Sequence, residues 1–166
     1  MITAVFEQVK TPDGVFTIIG NDLGRVLASG WTEHAEEALA RIPRTLRPRA
    51  VQRGKTQAGQ AVDAYYAGDL SAIDSIETQQ PGTAFHLAGW AELRKVKAGI
   101  RLTYTDLAAH LGRASAVRAA ASNCAKNAAA LFVPCHRVLR MDGSLGGFAW
   151  GLEVKQSLLE REAEVA

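Results

Sequence analysis

Residues 103–126, TYTDLAAHLGRASAVRAAASNCAK, decide how the chain is read. Thr103-x-x-Asp106 is a capping-box-like start, in which the threonine hydroxyl accepts from the third helical N–H and the acid reaches back to the cap. Leu107, Ala108 and Leu111 follow at helical spacing. Gly112 stands where a left-handed C-terminal cap belongs. Ser115 then opens an alanine-rich stretch to about Lys126, with Val117, Ala121 and Cys124 read as its inward stripe. Two short helices joined by a glycine-containing turn have the form of a helix-turn-helix. Helical hairpins are common, so the pair alone does not specify a nucleic-acid partner.

Working outward, Phe85, Ala88, Trp90, Leu93 and Val96 fit one broad helix face upstream. Downstream, LFVPCHRVL (131–139) is a buried apolar run stopped by Pro134. Asp142-Gly143 makes a turn, and a last helix runs from Leu152 to about Glu164 with Val154, Leu158 and Leu159 inward. The first half reads differently. Strands at 2–9 and 15–20 flank Thr11-Pro12-Asp13-Gly14, a turn with a mechanism, so they form a hairpin. A third strand spans 25–31, and Thr32 is placed to cap a helix through about Arg41. Residues 41–55, with six basic residues, two prolines and no acid, read as a loop; 57–67 reads as a helix ended by Gly68; 70–82 reads as an irregular linker. The expected fold is α/β: a small N-terminal α/β domain, an antiparallel sheet plus helices, over residues 1–80, then a mostly helical domain over 81–166.

The composition, 166 residues with 48% hydrophobic and 22% charged, is that of a folded chain with a core rather than a disordered one. No apolar run approaches the roughly 18 residues of a membrane span, and the N-terminus lacks a secretory pattern. Only Cys124 and Cys135 are present, which excludes a disulfide scaffold and fits a reducing, cytoplasmic setting. The net charge of +2 hides an asymmetry: residues 1–85 carry 8 basic and 10 acidic groups, residues 86–166 carry 11 and 7. Between 101 and 140 six basic residues face a single acid, Asp106, a balance suited to a polyanion and equally to a solvated face.

Cys135 is the best nucleophile candidate. His136 and Arg137 follow it, and imidazole or guanidinium lowers a thiol pKa. On a strand His136 would point away from Cys135 and act through a water; in a turn it need not. Glu162 falls on the apolar stripe of the last helix, where a carboxylate needs a partner, and it is placed to hold the histidine in one tautomer. A bare Cys–His pair is more often an inert buried cysteine beside a surface histidine. Cys124 reads as packing, and His34, His86 and His110 lack metal-ligand spacing, so no metal is expected.

Taken together, VPCHRV (133–138) resembles the active-site motif of the O6-alkylguanine-DNA alkyltransferases, the methylated-DNA–protein-cysteine methyltransferases. Tyr104 falls at that family's catalytic tyrosine, Arg118 at its arginine finger, Asn127 at its hinge asparagine, and Lys155 and Glu162 on its last helix. FHLAGWAELRKVKAGIRLTYTDLAAHLG and AYYAGDLSAIDSI are similar to its opening helix and preceding segment, so the resemblance is strong over 60–166 and loose over 1–35.

The resemblance implies a winged-helix-like C-terminal domain. It also implies direct repair of O6-alkylguanine, chiefly O6-methylguanine and with O4-methylthymine as a lesser substrate, by stoichiometric transfer to Cys135 without a cofactor. His136, Glu162, Tyr104 and Asn127 would complete the catalytic set. Arg118, Tyr104, Ala119, Ser115, Asn123 and Lys126 would meet double-stranded DNA in the minor groove while the base is flipped. Pro134, Val138, Phe148, Ala149, Trp150 and Lys155 would form the substrate pocket. The protein would act as a monomer, with clustering on DNA left open, and without a membrane. Departures from the family are Ala128 where many members have proline, Phe148 for a frequent tyrosine, a bulky Trp150, and Lys97 for a common proline. The rival readings are a damage-binding relative without transfer, which would lack the cysteine; an unrelated cysteine hydrolase, which would turn over; and a helix-turn-helix regulator, which would read the major groove.

Overall fold

The computed structural model describes residues 3–165, so Ile2, read into the first strand, lies outside the described residues. The chain forms two compact units, one of residues 1–81 with 128–132, the other of 82–127 with 133–166. Residues 128–132, read from sequence with the second half, therefore belong to the first.

The first unit is built on a four-stranded sheet of order β3-β2-β1-β4. Strand β1 (Thr3–Thr11) pairs antiparallel with β2 (Gly14–Gly20), closing from Val5↔Gly20 to Thr11↔Gly14, and β2 pairs antiparallel with β3 (Val26–Trp31). Strand β4 (Ala50–Arg53) runs parallel to β1 at the edge, inside the segment expected to be loop. Four residues ending in Gln-Arg carry too little apolar periodicity to announce a strand, and charge on an edge strand blocks further pairing. Helix α1 (Ala35–Leu39) is shorter than expected and starts after His34. Thr32 does not cap it; its hydroxyl instead accepts the His34 N–H. Helix α2 (Gln57–Tyr66) is capped by Thr56.

Side chains alternate along β1. Ala4 packs with Ala38 of α1 in one cluster, and Glu7 meets α2, so the helices cover opposite faces of the sheet. Glu7 is buried and accepts both the N–H and the hydroxyl of Thr56, each at 2.7 Å, which ties α2 to the sheet. Only glycine at position 59 lets the helix settle there, because a β-carbon would collide with the Glu7 carboxylate. The expected linker also joins the sheet. After a 3-10 turn at Leu70–Ser75, Val26 donates to Glu77 O and accepts from the Gln79 N–H. Ser29 on edge strand β3 donates from its N–H to Ala128 O and from its hydroxyl to Ala130 O, so these two buried carbonyls are satisfied by the sheet. Leu131, in the same segment, holds a left-handed backbone of φ 75°, rare for a branched residue.

The second unit is helical: α3 (Ala84–Lys95), α4 (Tyr104–His110), α5 (Val117–Lys126) and α6 (Leu152–Val165). The Thr103–Asp106 capping box is fully formed, with Asp106 reaching the Thr103 N–H despite its short side chain. Strands β5 (Leu102–Thr103) and β6 (Val138–Leu139) form a short parallel pair. Helices α4 and α5 are joined by the turn at Gly112, where φ is 73°. Trp90 of α3 donates from Nε1 to Asn123 O at 2.8 Å and fixes α3 on α5. The inward stripe of α5 is a correction to the sequence reading: Ala120 and Asn123 are buried, whereas Val117 is 36% exposed. Gly89 explains it, since a β-carbon there would strike the Asn123 amide; the missing side chain on α3 makes the hole that asparagine fills. Among the described residues no helix is long and apolar enough to cross a membrane.

Candidate active site

Pro134 halts the preceding segment, and Cys135–Arg137 form a single 3-10 turn, closed by the Arg137 N–H donating to Pro134 O at 3.1 Å. The open choice between strand and turn is settled as turn, and it parts the Cys135 side chain from those of His136 and Arg137. Cys135, 7% exposed, accepts a 3.3 Å hydrogen bond at Sγ from Asn127 Nδ2. The same amide donates to Val133 O at 2.8 Å. Asn127 ends α5, so the candidate DNA-reading helix and the candidate nucleophile share one side chain. A donor aimed at sulfur favours its anionic form.

His136 and Arg137 both turn to Glu162 on α6. His136 Nε2 donates to Glu162 Oε2 at 2.8 Å. Arg137 grips the same carboxylate with Nε on Oε1 at 2.8 Å and Nη2 on Oε2 at 3.0 Å, and its Nη1 donates to Val96 O at the end of α3. All three residues are essentially without solvent. Burial alone would raise the Glu162 carboxyl, but the charges and hydrogen bonds of His136 and Arg137 outweigh it and hold the group well below the usual carboxylate range. Burial pushes His136 below its ordinary value, helped by the Arg137 and Lys155 charges and opposed by Glu162. An ionised Glu162 accepting at Nε2–H leaves a neutral imidazole whose Nδ1 carries the lone pair, and that nitrogen is buried without a hydrogen-bond partner among the described residues.

Tyr104 opens α4, partly buried, with its hydroxyl pushed up to about 12 by burial and then by the neighbouring Cys124 and Cys135 sulfurs. It therefore stays protonated at neutral pH. Cys124, half-buried on α5, has its thiol raised by burial and by Cys135, and so stays protonated.

The remaining candidates separate into three groups. Arg118 and Lys126 are exposed along α5, Ser115 is exposed just before it, and Ala119 is half-exposed, all available to a partner. Asn123, expected to touch DNA, does not reach the surface; it is fully buried against α3. Pro134 and Val138 are buried, Phe148 and Trp150 are half-buried and Ala149 is exposed. Lys155, expected in the pocket wall, is fully buried and acts as a brace: Nζ donates to the carbonyls of Val138, Leu145 and Gly147, pinning the 145–147 loop to β6. A buried ammonium needs such partners, whichever residues surround it. Sequence reasoning passed over Arg137 as more than a neighbour of Cys135. The available signal was the demand of Glu162 for a partner, which a cation in the same turn as His136 meets.

Residues 84–164 match the family profile described as 6-O-methylguanine DNA methyltransferase, DNA binding domain. The chain is 33% identical to the methylated-DNA–protein-cysteine methyltransferase of Shigella flexneri over 98% of its own length and 97% of that protein's. It is 49% identical over 83 residues to the bifunctional transcriptional activator/DNA repair enzyme Ada of Escherichia coli K12, covering 50% of this chain and 23% of Ada. Its structure is similar to that of the Mycobacterium tuberculosis O6-methylguanine methyltransferase, with a TM-score of 0.80, 26% identity and coverage of 98% and 94%, and to the DNA complex of the M. tuberculosis protein, with a TM-score of 0.81. Near-complete coverage by a relative this similar settles descent, and the chain belongs to the methylated-DNA–protein-cysteine methyltransferases.

Proposed function

We propose that the protein repairs O6-alkylguanine in duplex DNA by moving the alkyl group irreversibly to Cys135. The observation that carries the reading is the presence on one turn of a thiol held by Asn127 and an imidazole oriented by Glu162. Arg118 on the exposed face of α5 enters the duplex and occupies the space left by the flipped nucleotide, because the O6 substituent is unreachable within the stack. Minor-groove approach suits a protein that must inspect any sequence, since that groove carries little base code.

The Cys135 proton passes through a water to His136 Nδ1, whose ring is oriented from the other side by Glu162. The sulfur lone pair forms a bond to the alkyl carbon as the carbon–O6 bond breaks, and that electron pair returns to guanine. Tyr104 donates to N3 of the base, so the leaving group is neutral guanine, and the proton lost by the thiol restores the balance through the relay. General-acid help of this kind is typically worth about 10²–10⁴-fold. The thioether is stable, so each molecule acts once. Mixed with an excess of duplex containing O6-methylguanine, the protein should restore one guanine per molecule in a burst and then stop. Continued turnover would refute the reading.

A further inference from the structure

We propose that Arg137 is a positioning residue of the alkyl transfer: its guanidinium balances the Glu162 charge, so that the carboxylate orients the His136 ring through Nε2–H while the imidazole stays uncharged and keeps Nδ1 as a proton acceptor. The inference deepens the proposed function, and its kinetic arm rests on it.

The geometry argues for charge balance rather than for a simple strut. Glu162 accepts from Arg137 on both of its oxygens and from His136 on one of them. Paired with His136 alone in a site this dry, an ionised carboxylate would draw a proton onto the imidazole, and an imidazolium cannot take the thiol proton. Arg137 removes that pull because it is always charged and clasps the carboxylate along both oxygens. Its third contact, Nη1 on Val96 O, fixes the guanidinium from α3 and keeps it from swinging away. The charged groups facing His136 are Glu162 and Lys155 from α6 and Arg137 from its own turn. Lys155 is committed to the carbonyls of Val138, Leu145 and Gly147, whereas Arg137 is in direct contact with Glu162.

The two partners of this pair push His136 in opposite directions, and that opposition is the test. In the full-length protein, the ring of His136 is titrated by nitrogen-15 NMR, and the acid limb of the single-turnover rate is followed in parallel. Arg137→Met should raise both by about one pH unit or more. Glu162→Gln should lower both. The double variant Arg137→Met/Glu162→Gln, with neither charge, should return both close to the starting values, although each single change destabilises the fold. A purely structural role for Arg137 predicts lower melting temperatures with no movement of either titration, and that result would overturn the inference. So would movement in the same direction for both single variants. Where Arg137→Met does not fold, the downward shift in Glu162→Gln decides the matter: its absence rejects charge balance. The expected NMR pattern in a protein that transfers no methyl group would support this inference and reject the proposed function, which keeps the two failures apart.

Discussion

Gly146 lies against the Tyr104 hydroxyl: a β-carbon at residue 146 would come 2.7 Å from that oxygen, and the backbone there is left-handed with φ +72°. Lys155 holds the carbonyls on either side, of Leu145 and Gly147, so the loop is pressed onto the tyrosine. Gly146→Ala should therefore cost about 1–3 kcal/mol from backbone strain. It should also lift the loop and hydrate Tyr104. Ultraviolet titration would then show the Tyr104 ionisation falling from about 12 toward its ordinary 10. An unchanged tyrosine titration in a strained variant would mean that the loop does not set the environment of Tyr104.

The α3–α5 contact carries a second coupled pair. Asn123 is buried in the hole that Gly89 leaves, with both amide atoms unpartnered among the described residues. Gly89→Ala should destabilise the protein by more than about 1 kcal/mol through overpacking. In the Asn123→Ala background the same change should become neutral or stabilising, since the collision is gone and alanine favours the helix by up to about 1 kcal/mol. Thermal unfolding of the four-member cycle checks it; additive effects would contradict the packing described.

The extent to which the sequence foretold this arrangement follows from range. Short-range signals worked: the Thr103–Asp106 box, the hairpin closed at Gly14 and the turn at Gly112 depend on neighbours within a few residues. The pairing of His136 with Glu162 was foreseeable because a carboxylate on an apolar stripe needs a partner and a motif supplied one. Long-range complementarity was hidden. Nothing near Asn123 announces the glycine 34 positions earlier that buries it. Nothing in residues 50–53 announces that β1 has an open edge for them. Arg137 reads as a basic neighbour until the fold brings Val96 and Glu162 to its two ends.

In the proposed function Arg118 serves recognition and not the chemistry. It is exposed on α5. Arg118→Ala should slow repair of duplex DNA much more than reaction with free O6-benzylguanine, which needs no extrusion. Stopped-flow rates on both substrates measure this, and equal losses would remove Arg118 from the flipping step.

Acid should weaken the fold through the same buried set. Glu162 titrates below its ordinary 4.5 when folded, so its contribution is complete above that pH and is lost as pH falls toward the folded value. His136 is held below 6.5, so the unfolded chain takes up its proton first and stability declines as pH drops beneath 6.5. Both contributions fall in the same direction. Melting temperature should decrease from pH 7 to pH 4, and Glu162→Gln, less stable at neutrality, should show the shallower slope below pH 4.5. An equally steep acid limb in that variant would place the titration elsewhere.

Peptide-level mass spectrometry after one exposure to O6-methylguanine duplex tests the central claim most directly. The protein should gain a single methyl group on the peptide containing Cys135 and none on the peptide containing Cys124, whose thiol stays protonated. Cys135→Ser should gain none. Methyl on Cys124, or restored guanine with no adduct on Cys135, would contradict the account.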